Sequence, residues 1–300
     1  MTMRFAHVAG RAFNTPLLLA QRQGTPILES LGQYIRQRGA EHDVHRLRAY
    51  DDDEGGEPRR GRIASLPFGI LEYHDKAYPE LHGVALLEVE GTLVNRLGSM
   101  TPWCGMTGYD GLRTQLLAAL ADTNVKAIAL CIESPGGEVA GCFDLADLIA
   151  EARKVKPVWA LVDGMACSAA YALAASCSRI TASEVGLVGS IGVIVAHADF
   201  SGALEQAGIK VTLIHGGEHK ADGNPYQPLP EAVRKDLQAE IDTVYGMFVD
   251  RVARYRSIDA NAVRATQARV YLAADAVRLG LADAIASPAD ALAELIETVQ

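Results

Sequence analysis

What this chain lacks sets the first limits on what it can be. Nowhere in its 300 residues do about 18 apolar residues run without a charge, the least that crosses a bilayer as a helix. The longest apolar run near the start, Thr15-Pro16-Leu17-Leu18-Leu19-Ala20, contains Pro16 and is too short for a secretory core, so no signal peptide is expected. Cysteines number five, an odd count: Cys104, Cys131, Cys142, Cys167 and Cys177. They show no CxxC spacing and three lie in apolar runs, which points to buried thiols in a reducing compartment, with no structural disulfide and no zinc. Basic residues are outnumbered by acidic ones, 28 to 37, and the formal charge of -9 repels a phosphate backbone. No internal repeat of fixed period is visible. The expectation is a soluble, cytosolic chain with neither a membrane nor a nucleic acid as partner.

What is present is a core. An apolar content of 49% is enough for one large α/β domain with an appendage, or for two small domains. Ile27, Leu28, Leu31, Tyr34 and Ile35 recur at roughly helical spacing, and the charged stretch 51–60 that follows reads equally as a linker or as a solvated loop. This divides the chain into a small N-terminal helical arm and linker (1–80), a main domain (81–287) and a C-terminal helical tail (288–300). From residue 84 onward apolar blocks and helical spacings alternate. Strands are expected at 84–89, 125–132, 157–162 and 179–182, with helices at 111–121, 143–152 and 168–176 between them. Further strands are expected at 193–196 and 211–214, with a short helix at 203–206. A long amphipathic helix, 230–255, carries Val233, Leu237, Ile241, Val244, Phe248 and Val252 on one face. Continuous apolar strands separated by helices imply an α/β fold, a mostly parallel sheet with helices on both faces.

Four segments carry residues suited to chemistry. In Asp163-Gly164-Met165-Ala166-Cys167-Ser168-Ala169-Ala170 a strand ends in a turn and a run of small residues opens a helix. A serine there stands beside free backbone N–H groups that favour negative charge, although Ser168 also suits a plain N-cap. Ser134-Pro135-Gly136-Gly137 ends another strand. Its two glycines allow backbone amides to face a ligand oxygen, and with the Ala169 amide they form a candidate oxyanion hole; Pro-Gly-Gly is equally an ordinary turn. The third segment, 215–226, is polar and Gly-rich and holds Lys220. If buried beside Ser168, desolvation favours its neutral amine, which then accepts the serine proton. His215 and His219 are rival bases, but no GxSxG elbow supports a histidine triad. In the fourth, Val188-Gly189-Ser190-Ile191-Gly192, Ser190 offers a hydroxyl to orient a neutral lysine, or is a turn serine. Cys167 beside the candidate nucleophile raises a cysteine-peptidase alternative and otherwise reads as packing.

In this order the segments Ser-Pro-Gly-Gly, Ala-Cys-Ser-Ala-Ala-Tyr, Gly-Ser-Ile-Gly-Val and Gly-Glu-His-Lys resemble the serine-lysine peptidase family of signal peptide peptidase A, within the Clp-protease and crotonase-like fold. The segments 13–17, 105–109, 156–161 and 219–226 look most like the phage head maturation proteases of the lambda minor capsid protein C type. The likeness extends from about residue 10 to 287. It implies Ser168 as nucleophile, Lys220 as general base, Ser190 as the lysine-orienting hydroxyl, and the backbone of Gly136 or Gly137 and of Ala169 as oxyanion donors. No metal and no organic cofactor are implied. Membrane-bound relatives usually have Gly-Gly where this chain has Ala169-Ala170, which keeps the backbone donor and narrows the groove. The implied substrates are scaffold, portal and other capsid proteins, cut in the host cytoplasm or within the procapsid by a homo-oligomeric ring. A scaffold would then be encoded separately or in an overlapping frame. Three rivals remain: a signal-peptide-degrading peptidase, a crotonase-like acyl-CoA enzyme, and an inactive capsid component.

Overall fold

The computed structural model describes residues 17–19, 62–67, 69–73, 76–102 and 105–300. The expected helical arm at 24–48 and the stretch 51–60 lie outside these residues. The centre of the fold is three long parallel strands, β5 (Val84–Val94), β7 (Ala127–Glu138) and β8 (Val158–Cys167). In chain order they are preceded by β1 (Leu17–Leu19), the hairpin β2 (Arg62–Leu66) and β3 (Gly69–Tyr73), and β4 (Glu80–Leu81). The strand β6 (Met106–Gly108) leads into α1 (Tyr109–Ala121), α2 (Cys142–Ala152) follows β7, and α3 (Ala169–Ala175) follows β8. Next come β9 (Arg179–Ala182), β10 (Leu187–Gly189), α4 (Ser201–Gln206), α5 (Glu231–Arg256) and α6 (Ala260–Ala265). The chain closes with β11 (Val270–Leu272), α7 (Ala273–Arg278), β12 (Ala284–Ile285) and α8 (Pro288–Val299).

The period of two along each central strand sorts the core into two layers. Val84 and Leu86, Ala127 and Ala129, and Trp159 and Leu161 face one side, where Ala291, Leu292 and Leu295 of α8 cover them. Ala85 and Leu87, Ile128 and Leu130, and Val158 and Ala160 face the other, under α1, α2, α3 and the C-terminal half of α5. A sheet buried on both faces is why its strands read as unbroken apolar blocks. Helix α3 lies deepest, its seven residues all buried, and its alanines allow close approach to the sheet. Tyr171 and Leu173 are the large side chains there, and the Tyr171 hydroxyl donates to the Leu281 carbonyl at 3.0 Å.

Two expected strands are not formed. Residues 211–214 are not strand, and of 193–196 only Ile194 makes an isolated bridge. Between them α4 is present, as expected, but most residues from 201 to 230 are exposed. β-branched residues favour a strand only where a neighbour supplies hydrogen bonds and a packing surface, and this segment meets none in the single chain. Among the described residues no helix is long and apolar enough to cross a membrane.

Candidate active site

Ser168 stands at the junction where β8 ends and α3 begins. Its backbone is held at φ 55° and ψ -117°, outside the regions that L-residues favour and outside the left-handed helix as well. Hydrogen bonds on both sides impose this conformation: the Ser168 amide donates to the Gly189 carbonyl at 2.8 Å, and its carbonyl accepts from the Ala172 amide at 2.9 Å. The hydroxyl donates weakly to the Gly192 carbonyl at 3.4 Å, and the residue is wholly shielded from solvent. A serine at a sharp strand-to-helix turn projects its hydroxyl away from both elements and beside the unsatisfied first amides of the helix, that of Ala169 first.

The glycines at the end of β7 have separate reasons. Gly136 has φ +110°, which few L side chains adopt, and a Cβ on Gly137 would lie 1.9 Å from the Leu93 carbonyl oxygen. The Gly136 amide donates to the Ser134 hydroxyl at 3.2 Å, and that hydroxyl donates to the Gly91 carbonyl at 2.6 Å, so Ser134 fixes the turn. Register brings this turn to Ser168. Ser134 pairs with Ala166, and two residues beyond this pair the chain reaches Gly136 on β7 and, just past the end of β8, Ser168. The structure thus brings Ser168, Ala169, Gly136 and Gly137 to one end of the sheet.

Ser190 lies close by in sequence and fold, buried, at φ 56°, its amide donating to the Arg269 carbonyl at 2.9 Å. Its hydroxyl makes no hydrogen bond among the described residues. Gly189 and Gly192, not assigned a part by sequence reasoning, supply the carbonyls that meet the Ser168 amide and hydroxyl. A Cβ at Gly189 would sit 2.7 Å from the Arg269 carbonyl oxygen, so the spacing of the two glycines around Ser190 was the available signal.

Lys220 is placed elsewhere. It sits in a short 3-10 turn, Glu218–Ala221, on the exposed 201–230 segment, and no hydrogen bond or ion pair joins its amine to Ser168 within the single chain. The histidine rivals are exposed too. His215 Nδ1 lies 2.9 Å from the Gly217 carbonyl, and His219 Nδ1 lies 2.8 Å from Asp222. The hydrogen bond and charge of Asp222 raise the His219 pKa. Burial, with Glu133 adding to it, pushes the Cys167 thiol up to about 12, the opposite of what a thiolate nucleophile needs.

The model of peptidase family S49 matches residues 150–300, and that of Clp protease matches residues 106–183. The chain is 39% identical over 300 residues to the head-tail preconnector protein GP5 of Enterobacteria phage P21, covering 97% of this chain and 57% of that protein. It is 38% identical over 297 residues to the capsid assembly protease C of Escherichia phage lambda, covering 95% of this chain and 64% of that protein. The chain therefore spans somewhat under two thirds of the length of either relative.

Proposed function

The chain belongs to peptidase family S49, and from that premise we propose that it is a serine endopeptidase in which Ser168 is the nucleophile and Lys220 the base. The observation that carries this reading is the backbone of Ser168, locked at a positive φ beside the amides of Ala169 and the Gly136-Gly137 turn. In the first step the Lys220 amine takes the proton from the Ser168 hydroxyl as the oxygen attacks the peptide carbonyl carbon. The resulting oxyanion is met by the Ala169 amide and by an amide of the glycine turn. Collapse expels the amine, which takes the proton from Lys220, and a water activated by the same lysine then releases the acyl group. Ser190 holds the lysine amine in place.

This mechanism needs Lys220 to be brought in and dried. In the single chain it is exposed, as are Ile209, Val211, Leu213, Ile214 and Tyr226 of the same segment. A second copy covering that segment buries the apolar side chains and carries Lys220 to a serine, in a closed ring of identical subunits. The substrates are scaffold and other head proteins; one phage relative is named a capsid assembly protease and the other a head-tail preconnector protein.

Co-expression with scaffold and head proteins tests both parts. Wild-type chain should shorten the scaffold by mass, while Ser168→Ala and Lys220→Ala should each leave it intact. Scaffold cut equally well by Ser168→Ala would end the proposal.

A further inference from the structure

The groove beside Ser168 already holds a strand, and it comes from the same chain. Leu17, Leu18 and Leu19 of β1 run antiparallel to β7, opposite Glu138, Gly137 and Gly136 in turn. A strand has two edges, and at Gly136 and Gly137 one of them is taken by Thr92 and Leu93 of β5. β1 must therefore lie on the other edge, the edge that β8 occupies lower down through the pairing of Ser134 with Ala166. β8 leaves that edge when it turns off at Ser168, and β1 fills the position it vacates. Leu19 pairs with Gly136, two residues beyond the Ser134–Ala166 pair, as Ser168 is in its own chain segment.

From this placement we infer that the N-terminal segment around Leu17–Leu19 is a built-in occupant of the substrate groove, so that the folded chain is self-occluded until the segment is displaced. The inference rests on Ser168 being the nucleophile. A protein substrate must present an extended stretch to Ser168 at the end of the sheet, and main-chain pairing along the free edge of Gly136–Glu138 is the way an extended peptide gains affinity there. β1 makes that pairing intramolecularly, at an effective concentration a separate substrate rarely reaches. The complete shielding of Ser168 from solvent accords with a closed groove. The Leu17–Leu19 run, too short for a membrane segment, thus has a backbone place in the fold.

The test compares the full chain with its Leu18→Pro variant, because proline removes a backbone donor and disrupts a strand ladder. Readouts are hydrolysis of labelled casein, acylation of Ser168 by a fluorophosphonate probe, and amide hydrogen exchange at residues 136–138. A segment that fills the groove nine-tenths of the time lowers apparent affinity about tenfold, so Leu18→Pro should raise casein hydrolysis by about that factor. Exchange at 136–138 should quicken. A synthetic peptide of residues 13–22 should inhibit the variant in competition with casein, and its proline-bearing counterpart should not. Equal Ser168-dependent rates in both chains, unchanged exchange and no inhibition by the peptide overturn the inference and leave the nucleophile in place. Probe labelling or casein hydrolysis that persists in Ser168→Ala, or is absent from every form, overturns the reading of the active site itself.

Discussion

The conformation of Ser168 stores strain at the point where the chemistry is proposed. A non-glycine residue held in a sparsely populated region costs on the order of 1–3 kcal/mol. Glycine adopts φ near 55° without that cost, at the expense of greater chain entropy when unfolded. Ser168→Gly should therefore be more stable than Ser168→Ala by about 1 kcal/mol in urea titrations, with both inactive. Equal stabilities would show that the turn is not strained. A second residue-level prediction concerns acid. Asp122 lies 2.8 Å from the Lys76 amine, and the hydrogen bond from Lys76, then that from the Asn124 amide, lower its carboxyl from 3.8 to about 2. A folded pKa below the unfolded one contributes stability that is present above 3.8 and lost as the pH falls towards 2. Asp122→Asn should flatten the acid limb of the stability curve in that window and leave the pH dependence near neutrality unchanged. The carboxylate is only half-buried, so salt should weaken the effect.

At the scale of elements, α5 divides into two halves. Its C-terminal half is anchored by Phe248, Val249 and Val252, all fully buried, with the Phe248 ring centroid 5.9 Å from that of Phe143. Just beyond them Arg256, its side chain 8% exposed, forks onto Asp283 at 2.6 and 3.0 Å. Asp283 also accepts the Ile180 amide at 2.7 Å, so one carboxylate ties α5 to β9. Removing it leaves a guanidinium buried without its partner, and Asp283→Ala should cost about 3 kcal/mol by denaturant unfolding. The central elements were legible in the sequence: the expected strand at 179–182 is β9, and the helix expected at 143–152 begins one residue earlier. The segments expected as strands at 193–196 and 211–214 failed for a physical reason. Their composition carries strand propensity, but propensity is realised only against a partner.

At the scale of the whole molecule, two stretches carry runs of incompletely covered apolar side chains, the 201–230 segment and the N-terminal half of α5. Val233, Leu237, Ile241 and Val244 of that helix are only half-buried, although they continue the stripe that is buried at Phe248 and Val252. A helix stripe left partly uncovered suits contact with another copy. Ile241→Asp should lower the mass seen by sedimentation velocity and reduce proteolysis, while the unfolding midpoint of the isolated subunit stays within experimental error. Unchanged mass would place the subunit contact elsewhere.

By itself the sequence determined the sheet, its two covered faces and the serine at the strand-to-helix junction, because these depend on local period, turn chemistry and small-residue packing. It also singled out Gly136 and Gly137, since a positive φ and a close backbone approach both demand glycine. Tertiary structure alone decided that Ser134 pairs with Ala166 and so brings the glycine turn to the end of the sheet where Ser168 lies, because register between distant strands is set by long-range pairing. It likewise decided that Leu17–Leu19 lies on the edge that β8 leaves open, and that Lys220 faces solvent in the single chain. No local pattern encodes which free strand edge a distant apolar triplet will join; that choice is made only when the whole sheet is assembled.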